Sequence, residues 1–141
     1  MLSTAANFKS RAYHLGYMGL LPLIIGTGLA MVDVQTNTAI TAIHSYAAVI
    51  LTFIGAIHWG RAMQVNDMTL LNLSIWPSLI AWFSLLVSPV YGLPLLIACY
   101  LTVFAFDYRE YAYAELDWFR RLRTQLTFVV CTLLAISWFY A

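Results

Sequence analysis

Long apolar stretches separated by short polar segments run through the whole chain. A helix needs about 20 apolar residues to cross the roughly 30 Å hydrocarbon core of a bilayer. Five stretches meet or approach that length, and they cover residues 14–33, 39–60, 70–88, 91–107 and 124–140. None alternates apolar and polar residues as a membrane barrel strand does. The pattern predicts an all-α membrane protein with five transmembrane helices in a single domain, residues 1–141.

The first apolar stretch follows Lys9 and Arg11, as the core of a signal peptide follows basic residues. It is about 20 residues long, however, and a signal-peptide core has about 7–15. We therefore expect a true transmembrane helix. Pro22 and Pro77 lie inside the first and third stretches, where a missing amide hydrogen predicts a kink.

The basic residues indicate the orientation of these helices. If the N-terminus is cytoplasmic, the cytoplasmic segments are 1–13, 61–69 and 108–123. These segments hold all seven basic residues of the chain, which are Lys9, Arg11, Arg61, Arg109, Arg120, Arg121 and Arg123. Cytoplasmic loops are the ones that retain Lys and Arg. The distribution predicts a cytoplasmic N-terminus (N-in) and a C-terminus on the far side (C-out).

The longest polar segment, residues 107–123, has the pattern of an amphipathic helix. Its apolar positions recur every three or four residues, at Tyr108, Ala112, Leu116, Phe119 and Leu122. We expect this helix to lie on the inner membrane surface between transmembrane helices four and five. It either only connects the two helices or also docks a partner or an anionic lipid.

Composition supports lipid as the solvent. Hydrophobic residues make up 62% of the chain and charged residues 9%, against about 25% charged in a soluble domain. The net charge of +1 gives no reason to expect nucleic acid binding. Cys99 and Cys131 lie in apolar stretches, which predicts that both are buried thiols. Because the sequence has no metal-binding spacing and no nucleophile or phosphate-loop motif, we expect no metal site and lean against an enzyme.

Ionisable residues inside membrane helices are costly and point to function. His14 and His58 lie about one turn inside the predicted inner interface on different helices, and Asp107 and Arg61 reach the same depth. His44 lies in the outer third of the same helix as His58, fourteen residues earlier. That separation is roughly 21 Å, so His44 cannot share a ligand with His58.

Three interpretations of this inner group remain open. Its members pair with one another or reach the lipid headgroups, or they form a site for an anionic headgroup, a quinone or protons. The third interpretation is a bis-histidine haem held by His14 and His58. The candidate lipid or partner contacts are Trp59, Arg61, Asp107, Arg120, Arg121 and Arg123.

Several sequence blocks together resemble a known family. They are Gly55-x-x-His58-Trp59-Gly60, residues 15–22, residues 76–82 and residues 117–123. The chain resembles the transmembrane-protein-69-like family, a domain of unknown function in bacteria and mitochondria, from about residue 12 to residue 135. The resemblance implies a multi-span inner-membrane protein without an assigned reaction, and it marks His58, Trp59 and Arg123 as positions of interest.

These observations favour a non-enzymatic accessory or assembly subunit of a larger membrane complex, with a respiratory complex as the expected setting. The expected location is the bacterial inner membrane or the mitochondrial inner membrane. The expected partners are the bilayer and other membrane subunits or a second copy. A redox or proton-linked protein that binds quinone or haem near His14 and His58 is the competing hypothesis. A small carrier or channel is a third, and five helices do not divide into the inverted halves common in carriers.

Overall fold

The computed structural model of the protein describes residues 2–109 and 117–141, and these residues form helices and short connecting turns. The helices are α1 Leu2–Met18, α2 Leu21–Met31, α3 Thr36–Val65, α4 Met68–Leu85, α5 Pro89–Arg109 and α6 Asp117–Phe139.

Five helical segments of the described chain are long and apolar enough to cross a membrane, which confirms the predicted number. They are Asn7–Met31, Thr36–Val65, Met68–Leu85, Pro89–Tyr108 and Asp117–Phe139. Helices are the expected form because lipid offers no hydrogen-bond partner to an open backbone. The second of them, α3, has 30 residues and is about 45 Å long, so its ends extend beyond the hydrocarbon core.

The first of these segments is interrupted between α1 and α2. Leu20 N donates to Tyr17 O at 3.0 Å in a tightened last turn, and the regular pattern resumes where Ile24 N donates to Leu20 O. Pro22 lies in the first turn of α2, where a missing amide hydrogen costs least. The expected kink at Pro22 is therefore a break, whereas α4 continues through Pro77.

Short turns with left-handed residues connect the helices on either side of α3. Asn66 caps the C-terminus of α3 with a φ of 54°. The next residue, Asp67, accepts hydrogen bonds from Thr69 N and Leu70 N and so caps α4. Asn and Asp tolerate the left-handed region and provide side-chain caps. A two-residue turn of this kind brings α3 and α4 side by side.

Helix α3 lies at the centre of the bundle and packs against α2, α4, α5 and α6. Small residues on its buried face let its neighbours approach closely. Two of them, Ala47 and Ala48, are almost fully buried, and a Cβ on Gly55 would lie 2.6 Å from Ser74 O of α4. On the opposite side, a Cβ on Gly26 of α2 would lie 2.7 Å from the Ile43 side chain.

Polar side chains link helices that are distant in sequence. Tyr100 Oη on α5 donates to Ala47 O at 2.7 Å, and Tyr46 Oη on α3 donates to Gly19 O at 2.9 Å. The hydroxyls of Thr27 and Ser137 lie 3.0 Å apart between α2 and α6. These contacts fix the rotation of each helix about its axis.

The predicted surface helix falls partly outside the described residues. Tyr108 belongs to the end of α5, and residues 117–123 form the first turns of α6, continuous with the fifth membrane-spanning segment. Residues 110–116 lie outside the described part of the chain. A separate amphipathic helix on the membrane surface stays a prediction.

Candidate functional site

Three ionisable side chains from three helices meet near one end of the bundle. His58 comes from α3, Asp107 from α5 and Arg123 from α6, and we call them the charged cluster. Arg123 Nη2 donates to Asp107 Oδ2 at 2.6 Å, and His58 Nε2 is in hydrogen-bond contact with Asp107 Oδ1. The side chains of His58, Asp107 and Arg123 are 1%, 6% and 11% exposed. Each oxygen of the Asp107 carboxylate therefore contacts a different nitrogen, one on His58 and one on Arg123, in the interior of the bundle.

The second ring nitrogen of His58 is also engaged. Its Nδ1 lies 2.9 Å from Ile54 O, one turn earlier on α3. A backbone carbonyl oxygen can only accept, so this bond requires a proton on Nδ1. The carbonyl thus orients the ring, and it leaves Nε2 facing the carboxylate.

The position of Arg123 follows from the buried face of α6. Thr127, Val130, Leu134 and Ser137 are all buried at spacings of three and four. Extending that stripe one turn towards the N-terminus reaches Arg123, which therefore faces the bundle rather than the lipid. This stripe is the sequence signal that could have placed Arg123 inside; the prediction treated it as a surface contact.

None of the other predicted site residues in the described part of the chain is buried as His58 and Asp107 are. His14 is exposed on α1, Trp59 is 45% exposed, and Arg61 is half-buried at the end of α3. Arg120 pairs with the exposed Asp117 at 3.5 Å, and its guanidinium lies 5.9 Å from the centroid of the Tyr108 ring. The charged cluster thus unites His58, Asp107 and Arg123 from the predicted set.

Arg121 contributes to a second polar feature at the same end of the bundle. With Lys9, Tyr13, Asp117 and Trp118 it lines an open cavity of about 440 Å³ between α1 and α6. Tyr13 Oη donates to Trp118 O at 3.1 Å across this junction. Two cationic side chains on one cavity can contact an anionic lipid headgroup.

A haem held by His14 and His58 finds little support in this arrangement. Both ring nitrogens of His58 are bound to protein atoms, so neither is available to iron unless one of those bonds breaks. Within the described residues, no group of three or more metal-binding side chains comes together.

His44, which the sequence analysis placed too far from His58 to share a ligand with it, occupies a tightly packed site of its own. It is 3% exposed, and a Cβ on Gly92 of α5 would clash with its ring. The same Cβ would lie 2.7 Å from Ser84 O of α4. His44 Nε2 has no hydrogen-bond partner among the described residues. Sequence reasoning missed this contact because it depends on which turn of α5 faces α3.

These features define the class: a multi-span helical membrane protein with a buried charged cluster near one end. The chain belongs to the DUF3429 family of proteins of unknown function, whose family model matches residues 8–139. No curated protein and no solved structure matches the chain. The narrower transmembrane-protein-69-like resemblance stays a prediction.

Proposed function

We propose that the protein is a non-enzymatic accessory or assembly subunit of a larger membrane complex. The proposal includes the predicted N-in, C-out orientation and a location in the bacterial or mitochondrial inner membrane. The observation that carries it is the position of Trp76, which is 60% exposed halfway along α4.

Trp76 lies at an unusual depth for an exposed tryptophan. It is about 12–14 Å from either end of α4 at 1.5 Å per residue. Tryptophan is enriched at the membrane interfaces, where its indole N–H can find an acceptor. Trp138 donates its indole N–H to Val90 O at 2.8 Å, whereas no such bond is found for Trp76 within the described residues. Acyl chains at mid-depth offer no acceptor, but another membrane helix does.

The surface around Trp76 has a shape suited to a helix. Trp76, Leu79, Ile80, Trp82, Phe83 and Leu95 line an open apolar groove of about 320 Å³ on α4 and α5. Protein interfaces are enriched in such aromatic residues. A partner helix that carries a hydroxyl or carbonyl acceptor opposite Trp76 would fill the groove and satisfy the indole.

Replacing Trp76 tests the proposal through co-purification in mild detergent. Trp76→Leu should weaken partner association by about 1–2 kcal/mol, the scale of an interhelical polar contact in membranes. That loss corresponds to roughly five- to thirtyfold weaker binding. The control is Phe53→Leu on α3, because Phe53 is a 67% exposed ring without a polar hydrogen.

The outcomes separate the interface from the role. Loss of partner from Trp76→Leu but not from Phe53→Leu supports both. Equal recovery from the two variants contradicts the α4 interface, and a wild-type protein that purifies without any partner contradicts the accessory role. A Soret band in the same preparation would instead favour the haem alternative.

Headgroup binding is a second candidate function for the same end of the molecule as the charged cluster. The cavity that Lys9 and Arg121 line favours it. It needs no catalytic group and is compatible with an accessory role. Quinone binding and a carrier or channel role have no comparable observation in their favour.

A further inference from the structure

We propose that His58 and Asp107 form a proton-binding site, in which one exchangeable proton is held between three helices. The inference rests on the hydrogen-bond geometry of the charged cluster. It does not depend on the accessory role proposed above.

Counting donors and acceptors shows that the observed contacts need this proton. Ile54 O can only accept, so His58 Nδ1 must carry a hydrogen. The contact between His58 Nε2 and Asp107 Oδ1 then needs a second hydrogen. That hydrogen either resides on Nε2, which makes the ring an imidazolium, or on Asp107, which makes it a neutral acid. Both descriptions contain one proton more than a neutral histidine beside a carboxylate.

Removing this proton breaks one of the two bonds, whichever tautomer remains. With hydrogen on Nδ1, the lone pair of Nε2 faces a lone pair of Asp107 Oδ1. With hydrogen on Nε2, the lone pair of Nδ1 faces Ile54 O. The His58 side chain is 1% exposed, and an unmade hydrogen bond on so buried a group is costly. We call the pair loaded when it holds this extra proton and unloaded when it does not. The loaded state is the one in which both hydrogen bonds of His58 are made.

Charge opposes the loaded state and so permits release. With Arg123 protonated, the cluster carries a net charge of +1 when loaded and zero when unloaded. Burial disfavours the net charge, whereas the hydrogen bonds favour it. Releasing the proton therefore removes a buried net charge at the expense of one hydrogen bond.

The ionisable groups nearest to the cluster, within the described residues, lie on α3, α5 and α6. The elements α2 and α4 contain no ionisable side chain between Leu21 and Met31 or between Met68 and Leu85. Arg61 lies one turn beyond His58 on α3, and Arg120 lies one turn before Arg123 on α6. On α5, Tyr100 donates to Ala47 O. Glu110 and Glu115 lie outside the described residues.

The route of the proton follows the exposure of the three side chains. Exposure falls from 11% for Arg123 through 6% for Asp107 to 1% for His58. Asp107 is therefore the more accessible of the two groups that share the proton, and we infer that the proton enters at its side, near the end of α5. In the predicted orientation this side faces the cytoplasm or its topological equivalent.

The test uses isotope-labelled full-length protein in lipid nanodiscs. The chain has three histidines. His14→Gln and His44→Gln each remove the signals of one imidazole ring from the ¹⁵N spectrum, and the remaining signals are assigned to His58. Spectra are recorded from about pH 5 to about pH 9, which spans the range in which histidine usually changes charge. Infrared absorption of a protonated carboxyl group is followed in parallel.

We expect one proton to be lost from the pair as the pH rises. At the acid end of the range, either both His58 nitrogens or the Asp107 carboxyl group should be protonated. At the alkaline end, His58 should carry one protonated nitrogen and Asp107 should be ionised. The inference is overturned if His58 keeps one protonated nitrogen beside an ionised Asp107 at every pH. It is equally overturned if neither spectrum changes across the range.

Asp107→Asn is the variant that separates proton binding from a structural role. Its amide oxygen can accept from Arg123, and its NH₂ group can donate to His58 Nε2 while Nδ1 keeps its proton for Ile54 O. All contacts are then made without an extra proton, and the charge equals that of the loaded state. Because Arg123 keeps an acceptor but loses its anion, we expect the variant to be less stable than the wild-type protein, and we expect the His58 ¹⁵N signals to show one protonation state across the pH range. A titration that persists in Asp107→Asn contradicts the shared site, and if the variant does not fold, the wild-type spectra alone decide.

Discussion

At the scale of single residues, Arg123 is a largely buried cation that pairs with a buried carboxylate. Its guanidinium is 11% exposed and lies 2.6 Å from Asp107 Oδ2, and its Nε has no partner among the described residues. Removing one member of a buried ion pair costs about 3–5 kcal/mol, because the other charge is left uncompensated. Arg123 is therefore expected to matter more for stability than any exposed arginine.

Arg123→Gln should lower the free energy of unfolding by about 1–3 kcal/mol, because Asp107 Oδ2 loses a buried hydrogen bond while His58 still contacts Oδ1. The control is Arg120→Gln, one turn away on α6, where an exposed ion pair with Asp117 contributes at most about 1 kcal/mol. Unfolding by SDS titration in mixed micelles measures both variants. Equal stability of the two variants would show that the Arg123 pair does not hold the bundle together.

At the scale of helices, the contact between α3 and α4 depends on a position without a side chain. A Cβ on Gly55 would lie 2.6 Å from Ser74 O, whereas a Cβ on Gly60 would meet nothing within 4 Å. Both glycines lie on α3 within a turn and a half of each other. They form a matched pair for testing how closely α4 must approach the segment that carries His58.

Gly55→Ala should destabilise the protein by about 1–3 kcal/mol, since the added methyl group forces two helix backbones apart. Gly60→Ala should leave stability unchanged or raise it, because alanine is the better helix former. Thermal unfolding in detergent provides the measurement. A destabilised Gly60→Ala beside an unaffected Gly55→Ala would contradict the close α3–α4 packing.

At the scale of the whole molecule, the five membrane-spanning segments alternate in direction and bring Lys9, Arg61 and the arginines of α6 to one end. Contacts between distant segments support this arrangement. Tyr17 Oη donates to Gln125 Oε1 at 2.7 Å near the basic end, and the Thr27 and Ser137 hydroxyls meet near the other end. The basic side chains named here thus lie at one end of the bundle, and a cytoplasmic location of that end stays a prediction.

Reporter fusions test that orientation directly. A reporter that works only outside the cytoplasm should be active when fused after Ala141 and inactive when inserted in the turn at Asn66–Asp67. Both sites are exposed in the structure. Activity of the reporter in the turn would reverse the predicted orientation, and equal activity at the two sites would contradict five spans.

Parts of the candidate site could be predicted from sequence and parts could not. His58, Asp107 and Arg123 were all named in advance, because ionisable groups are rare in apolar helices and few lie at that depth. His58 and Asp107 were placed in one group at the same depth, but His14 was matched to His58 and Arg123 was assigned to the surface. Depth along the membrane normal can be counted in residues, but the direction in which a side chain points depends on the rotation of its helix.

The sequence by itself determined the class of this protein and the number of its spanning helices. Hydropathy acts locally, since each stretch of about 20 apolar residues is stable as a helix in lipid whether or not the other stretches are present. Only the tertiary structure decided which polar groups meet, where α1 gives way to α2, and that Gly92 packs against His44. Those contacts depend on the rotation and register of packed helices, which the fit of many side chains establishes together.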